Sequence, residues 1–170
     1  MSSLTEKELR VSKIIEKALS KEITAKPEIQ NMCTNIKLSM YSFEETIPKT
    51  LLVNVEENLL RFLRVNYKKF MASMKNEFQN VMILVVRNNA VTKKKDALTV
   101  NRKREDIISD ICFPATIKGR SQEVESINDV LQHIYLDNKQ QYWSDAEMKA
   151  IECIAGKILN ERFVVEMFSG

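Results

Sequence analysis

His133 is the one histidine in 170 residues, so any imidazole-based proton transfer or metal ligation would have to run through it. It lies in the strand-like stretch LQHIYLD, with no second histidine, no cysteine at metal-ligand spacing and no Gly-x-Ser-x-Gly elbow in the chain. General acid–base and metal chemistry both need a converging partner, and a lone histidine on a strand reads as a surface or packing residue. Cys33, Cys112 and Cys153 are odd in number, widely spaced and set among apolar neighbours. That pattern points to small buried thiols in a reducing compartment rather than to a disulfide framework or a metal cluster. The acidic pairs Glu44-Glu45, Glu56-Glu57 and Glu105-Asp106 fall in loops or at helix starts, where solvent or the helix dipole accounts for them. The expectation is a chain that is not an enzyme, with no cofactor, no metal and no small-molecule substrate.

The cations form the other candidate set. Lys plus Arg is 26 against 23 for Asp plus Glu, a formal charge of +3 that decides nothing by itself. Their placement says more. On a helical wheel Arg61, Arg64, Lys68 and Lys75 fall in a stripe about 60° wide, whereas Leu59, Leu63, Tyr67, Phe70 and Met74 centre about 130° away. A second cluster, Lys93, Lys94, Lys95, Arg102, Lys103 and Arg104, occupies 88–104, where hydrophobic periodicity breaks. The segment reads as an exposed basic loop or arm. Both clusters suit an acidic polymer, although Lys and Arg also populate solvated helix flanks, and Asp96, Glu105 and Asp106 dilute the second cluster.

The elements that must position these residues follow from periodicity. Leu9, Val11, Ile14, Ile15, Ala18 and Leu19 predict an N-terminal helix over 5–20, with Thr5 and Glu8 spaced as a capping box. Pro27 opens a short further helical turn, and Thr34 to Tyr41 alternates as a half-exposed strand. Thr50 to Val55 is β-branched and apolar, a long helix runs from about 56 to 78, and Val81 to Val86 is apolar throughout. Strand, helix and buried strand make a βαβ unit with parallel strands. A short helix from Arg104 to Cys112 precedes a hairpin of Ala115–Glu125 and Ile127–Leu136, then a helix capped by Ser144 and a closing strand, Phe163–Phe168. The expected fold is mixed α/β (α+β), one central mixed sheet with a βαβ unit, a β-hairpin and flanking helices, folded as a single domain over 1–170. Ile83, Val85, Phe70, Leu63 and Ile154 are expected in one core. Only three glycines and three prolines argue against collagenous, linker-rich or glycine-loop nucleotide-binding designs. The N-terminal MSSLTEKELR lacks an apolar leader, and Val81–Val86 is too short to span a bilayer, which leads to the expectation of a soluble, cytosolic protein.

Two stretches, EDIISDICFPATIKGR and HIYLDNKQQ, resemble the eukaryotic small-subunit ribosomal protein S7e family, which is unrelated to the bacterial protein of the same number. In that family a helix ends in Phe-Pro, here Phe113 and Pro114, and a strand then carries a Gly-Lys/Arg-Arg element, partly matched by Lys118, Gly119 and Arg120. The returning strand ends in Leu-Asp before a Gln-rich helix start, here Leu136, Asp137, Gln140 and Gln141. KTLLVNV, VMILVVRN and FVVEMF follow the family order, so the resemblance is colinear from about Thr34. Three features depart from it. The long basic arm of the family shrinks to VTKKKDALTVNRKRED, the hairpin tip has Ser126, Asn128 and Asp129 in place of an Asp-Gly-Ser turn, and the N-terminal region matches only in helical pattern. A trimmed arm resembles ribosomal proteins of lineages with shortened ribosomal RNA, such as microsporidia.

The resemblance implies a structural constituent of the small ribosomal subunit, with roles in subunit assembly and translation. Its partners would be small-subunit ribosomal RNA and neighbouring small-subunit ribosomal proteins, with no membrane. The expected RNA contacts are Lys93, Lys94, Lys95, Arg102, Lys103, Arg104, Lys118 and Arg120, together with the stripe Arg61, Arg64, Lys68 and Lys75, which is read from the helical wheel and not implied by the resemblance. Cytoplasmic ribosomes, after nucleolar or nuclear assembly, are the implied location. The competing expectation is a non-catalytic protein-interaction adaptor of similar α/β build without direct RNA contact.

Overall fold

The computed structural model describes residues 5–25, 28–88 and 97–169. The chain divides into two compact units, one formed by Met1–Met40 with Thr50–Ala90 and the other by Tyr41–Lys49 with Val91–Gly170. Among the described residues six strands are distributed over two three-stranded sheets, where the sequence pattern suggests one central sheet. The mixed α/β class, the βαβ unit, the hairpin and the flanking helices are all present.

In the first unit, helix α1 (Glu6–Ala18) begins at Thr5, whose hydroxyl accepts from the Glu8 N–H while the Glu8 carboxylate accepts from the Thr5 N–H. Two orphan donors at the helix start are thereby satisfied, as the capping box requires. Short helices α2 (Ser20–Ala25) and α3 (Glu28–Met32) follow; Pro27 lies outside the described residues. Strands β1 (Lys37–Tyr41) and β2 (Thr50–Val55) precede the helical stretch, and β3 (Met82–Arg87) follows it, in the sheet order β1-β2-β3. β2 and β3 are parallel, with Thr50 opposite Met82 and Val55 opposite Arg87. One face of this pair, Leu51, Val53, Val55 and Ile83, joins Val11, Ile15, Leu59, Leu63, Phe70 and Met74 in a buried cluster, with Val85 partly buried against it. The other face, Thr50, Leu52, Met82, Leu84 and Val86, is buried as well, which explains why both strands read as continuous apolar runs.

The expected long helix is two helices, α4 (Glu57–Val65) and α5 (Tyr67–Glu77). The break is at Asn66, whose backbone N–H and side-chain Nδ2 both donate to the Phe62 carbonyl. An asparagine side chain competes with the backbone for helical acceptors in this way, and its backbone leaves the helical basin with φ −109° and ψ 29°.

In the second unit, helix α6 (Ala97–Cys112) is longer than the expected 104–112. Arg102, Lys103 and Arg104 therefore stand on a helix rather than in a loop; Lys and Arg are good helix formers, and Ile107, Ile108 and Ile111 give the following turns a buried side. Strands β4 (Ile117–Ser126) and β5 (Asp129–Leu136) form the antiparallel hairpin, closing with Ser126 opposite Asp129. Helix α7 (Asp145–Leu159) starts at a second capping box, Ser144 with Glu147, and Asn160 in the left-handed region (φ 54°) ends it. Strand β6 (Arg162–Met167) then lies parallel to β5, so β5-α7-β6 repeats the strand–helix–strand logic in the order β4-β5-β6. Ile154 is fully buried in this unit and is not part of the first unit's cluster, contrary to the single-core expectation.

Candidate nucleic-acid interface

The candidate cations sort by what already holds them. In the first unit Arg61 is exposed and bonds Glu57 one turn earlier at 2.9 Å, a carboxylate that Arg87 also approaches at 3.3 Å. Arg64 is half-buried and engaged within the fold. Lys68 and Lys75, seven residues apart and so on one side of α5, are exposed and have no ion pair among the described residues. Because Asn66 interrupts the helix, a 100° increment does not carry across it. The expected four-residue stripe is two pairs, one on α4 and one on α5.

In the second unit Lys93, Lys94 and Lys95 lie outside the described residues. Arg102 is exposed without an ion pair among the described residues, and Lys103 is half-buried and engaged. Arg104 forks onto Glu161, with Nε 2.6 Å from Oε2 and Nη2 2.7 Å from Oε1, and its Nη1 donates to Glu105 at 2.7 Å. Arg120 donates to the other oxygen of Glu105 at 2.6 Å. The chain Glu161–Arg104–Glu105–Arg120 ties the α7–β6 turn, α6 and β4 together with two positive and two negative charges. The Glu161 carboxylate, bonding to the guanidinium, holds Arg104 above even its ordinary high range. Lys118, on the same strand as Arg120, is exposed and has no ion pair among the described residues.

The other chemistry-bearing side chains are packed. His133 is half-buried in β5, with Nε2 3.2 Å from Glu123 and Nδ1 3.7 Å from Glu166 on the two neighbouring strands, and its ring stacks on Tyr135 at 6.0 Å. Burial pushes the Cys112 thiol up to about 12 and that of Cys33 to about 11, the latter with help from Glu16; Cys153 rises through burial and the nearby Glu152 and Glu44. Cys33 and Cys112 are buried as expected, whereas Cys153 is half-buried, and a raised thiol is a weaker nucleophile and ligand near neutrality. Among the described residues no group of three His, Cys, Asp or Glu side chains could hold a metal, and no helix is long and apolar enough to cross a membrane. A cavity of about 480 Å³ in the first unit is lined by Ile29, Met32, Phe62 and Val65 with Glu22, Glu28 and Arg61, and neither His133 nor a cysteine lines it.

Sequence reading did not find the Arg104–Glu161 clamp or the Lys69–Glu22 bond at 2.7 Å, whose partners are 57 and 47 residues apart. It also missed the second role of Glu8, which accepts from the Leu38 N–H at 3.0 Å and so joins α1 to β1.

This is a mixed α/β chain in which the cations without an ion pair among the described residues include Lys68 and Lys75 on α5, Arg102 on α6 and Lys118 on β4, and in which those residues form no metal-ligand cluster. No family model matches it. The chain is similar to the small ribosomal subunit protein eS7 of Encephalitozoon cuniculi (strain GB-M1), 26% identical over 171 residues that cover 98% of this chain and 96% of that protein. The relationship is a distant homology that runs from end to end.

Proposed function

We propose that this chain is a structural constituent of the small ribosomal subunit that binds ribosomal RNA and neighbouring ribosomal proteins and takes part in subunit assembly and translation. The end-to-end similarity to a small-subunit ribosomal protein carries the reading, because a shared single module would leave part of one chain unmatched. The chemistry is electrostatic and catalyses no reaction. Lysine and arginine replace condensed counterions on the RNA backbone, and shape positions the protein. Lys68 and Lys75 on α5, Arg102 on α6 and Lys118 on β4 are the first choice for phosphate contacts, since no carboxylate among the described residues must be released. Lys93, Lys94 and Lys95 extend the set. Arg61 can join at little cost, because an exposed ion pair is worth at most about 1 kcal/mol. Arg104 and Arg120 serve the fold instead. The protein would work in cytoplasmic ribosomes after assembly in the nucleus or nucleolus.

Sedimentation of the tagged full chain with small subunits tests the reading. Wild type should travel with the subunit, and a Lys68→Glu, Lys75→Glu variant should be depleted from it while its circular dichroism and melting stay near wild type. For every phosphate that the variant no longer engages, the log–log salt slope of RNA binding should fall by about 0.7 to 0.9. Absence of the wild-type chain from small subunits would overturn the proposal. Full incorporation of the folded variant would remove α5 from the RNA-binding face. Incorporation without any RNA footprint would favour the adaptor alternative.

A further inference from the structure

The β4–β5 hairpin ends in an apolar tip that the fold itself does not use. From Ser121 to Asn128 every residue is exposed, and within that stretch Val124 is 68% and Ile127 96% exposed. Val124 faces Val130 across the ladder, and the register shifts between Val124 and Ser126, so Ile127 follows directly on the point where regular pairing ends. Neither Ile127 nor Asn128 has a positive φ, so the turn tolerates isoleucine without calling for it, and the side chain stands in solvent.

The charge around this tip is opposite to that of the chain as a whole. Glu123, Glu125 and Asp129 surround it, and among the described residues Arg162 is their one permanently charged partner, bonded to Glu125 at 3.1 Å and to Asp129. The protein carries +3 overall. Such an end repels phosphate, its arginine is already committed to two carboxylates, and it also repels the same tip of a second copy. It complements an apolar pocket with a basic rim.

We infer that the hairpin tip is a protein-docking finger, in which Ile127 and Val124 enter an apolar pocket rimmed by Lys or Arg on a partner protein. The inference rests on the proposed ribosomal role only for the particle in which that partner is met. An apolar anchor flanked by carboxylates gives area from the side chains and orientation from the charges, and the tip's position at the end of an exposed ribbon lets it reach a concave surface.

The test replaces Asn128 in the full chain with photoreactive p-benzoylphenylalanine, leaving both anchors intact, irradiates cells of the source organism and identifies the cross-linked peptides by mass spectrometry. The expected product is a peptide of another protein that carries Lys or Arg beside apolar residues. Its yield should fall about tenfold or more when Ile127→Asp is added, as for loss of an interface anchor, while melting of the chain is unchanged because Ile127 is solvent-exposed. Cross-links to RNA, to a second copy of the chain or to an acidic peptide would overturn the inference, as would no cross-link or one insensitive to Ile127→Asp. Sedimentation of the same tagged chain separates the two readings. A basic-peptide cross-link without subunit association keeps the finger and refutes the ribosomal role, whereas subunit association without that cross-link refutes the finger alone.

Discussion

Replacing Arg104 with alanine separates a residue that holds the fold from one that holds RNA. The Arg104 side chain is 20% and the Glu161 side chain 30% exposed, so the pair is neither a surface bridge nor fully dry. Exposed pairs are worth about 0 to 1 kcal/mol, and breaking a buried one costs about 3 to 5 kcal/mol. The geometry is the favourable one, two parallel charge-assisted bonds of 2.6 and 2.7 Å, and truncation also leaves Glu105 with Arg120 alone. A loss of about 2 kcal/mol is expected, which for a chain of this size lowers Tm by about 4 to 8 °C. Arg104→Lys should recover only part of it, because an ammonium cannot fork. The assay is thermal unfolding followed by tryptophan fluorescence. Trp143 is the one tryptophan, buried in the same unit, and its indole N–H donates to the Cys112 carbonyl at the end of the helix that carries Arg104. Arg102→Ala, two residues earlier and exposed, is the control, with an expected effect within about 0.5 kcal/mol. A melt of Arg104→Ala no lower than that of Arg102→Ala, combined with weakened RNA binding, would refute the assignment of Arg104 to the fold.

In the first unit, Ile83→Ala, at a site 4% exposed in the main cluster, should cost about 2 to 5 kcal/mol in urea unfolding, and an effect no larger than that of Lys75→Ala would contradict the sheet placement. Burial works to raise the Glu8 carboxyl, but bonds from the Thr5 and Leu38 N–H groups, the Thr5 hydroxyl and the charge of Lys37 outweigh it and hold the group below its ordinary 4.5. Its contribution to stability is therefore complete above that value and lost as pH falls through the lowered one. Glu8→Gln should destabilise the chain near neutrality and flatten the acid limb of a urea-midpoint profile, and an acid limb as steep as wild type would refute the linkage.

What was legible in the sequence was local. Thr5 with Glu8 and Ser144 with Glu147 announce helix starts through contacts three residues apart, and the apolar runs at 50–55 and 81–86 identify strands buried on both faces. The parallel pairing of β2 and β3 follows from the helical stretch between them. By contrast, the division into two sheets is a choice among long-range pairings, and no periodicity distinguishes a strand that extends one sheet from a strand that founds another. The interruption at Asn66 was hidden because apolar spacing continues across it, and only a side-chain bond to Phe62 gives it away. Arg102, Lys103 and Arg104 look alike as a basic tripeptide, yet one is exposed, one half-buried and engaged, and one clamped to a carboxylate 57 residues later.

In a chain of nearly balanced charge, an RNA-binding surface is recognised by which cations are free rather than by how many there are. A cation committed to a half-buried carboxylate must leave that carboxylate uncompensated before it can reach a phosphate, and the cost of doing so offsets the counterions released. A cation already in water has no such obligation. Counting charge therefore overstates the interface, because Arg104 and Arg120 enter the sum at full value although Glu105 and Glu161 neutralise them in place. The hairpin shows the converse. Arg162 compensates Glu125 and Asp129 only in part, leaving an acidic end on a basic chain, where exposed Ile127 and Val124 gain more from a protein than from a phosphate backbone. On the proposed reading Lys68, Lys75, Arg102 and Lys118 would meet an acidic polymer and the hairpin tip a basic-rimmed protein pocket, and neither engagement would require an ion pair that holds the fold to be released.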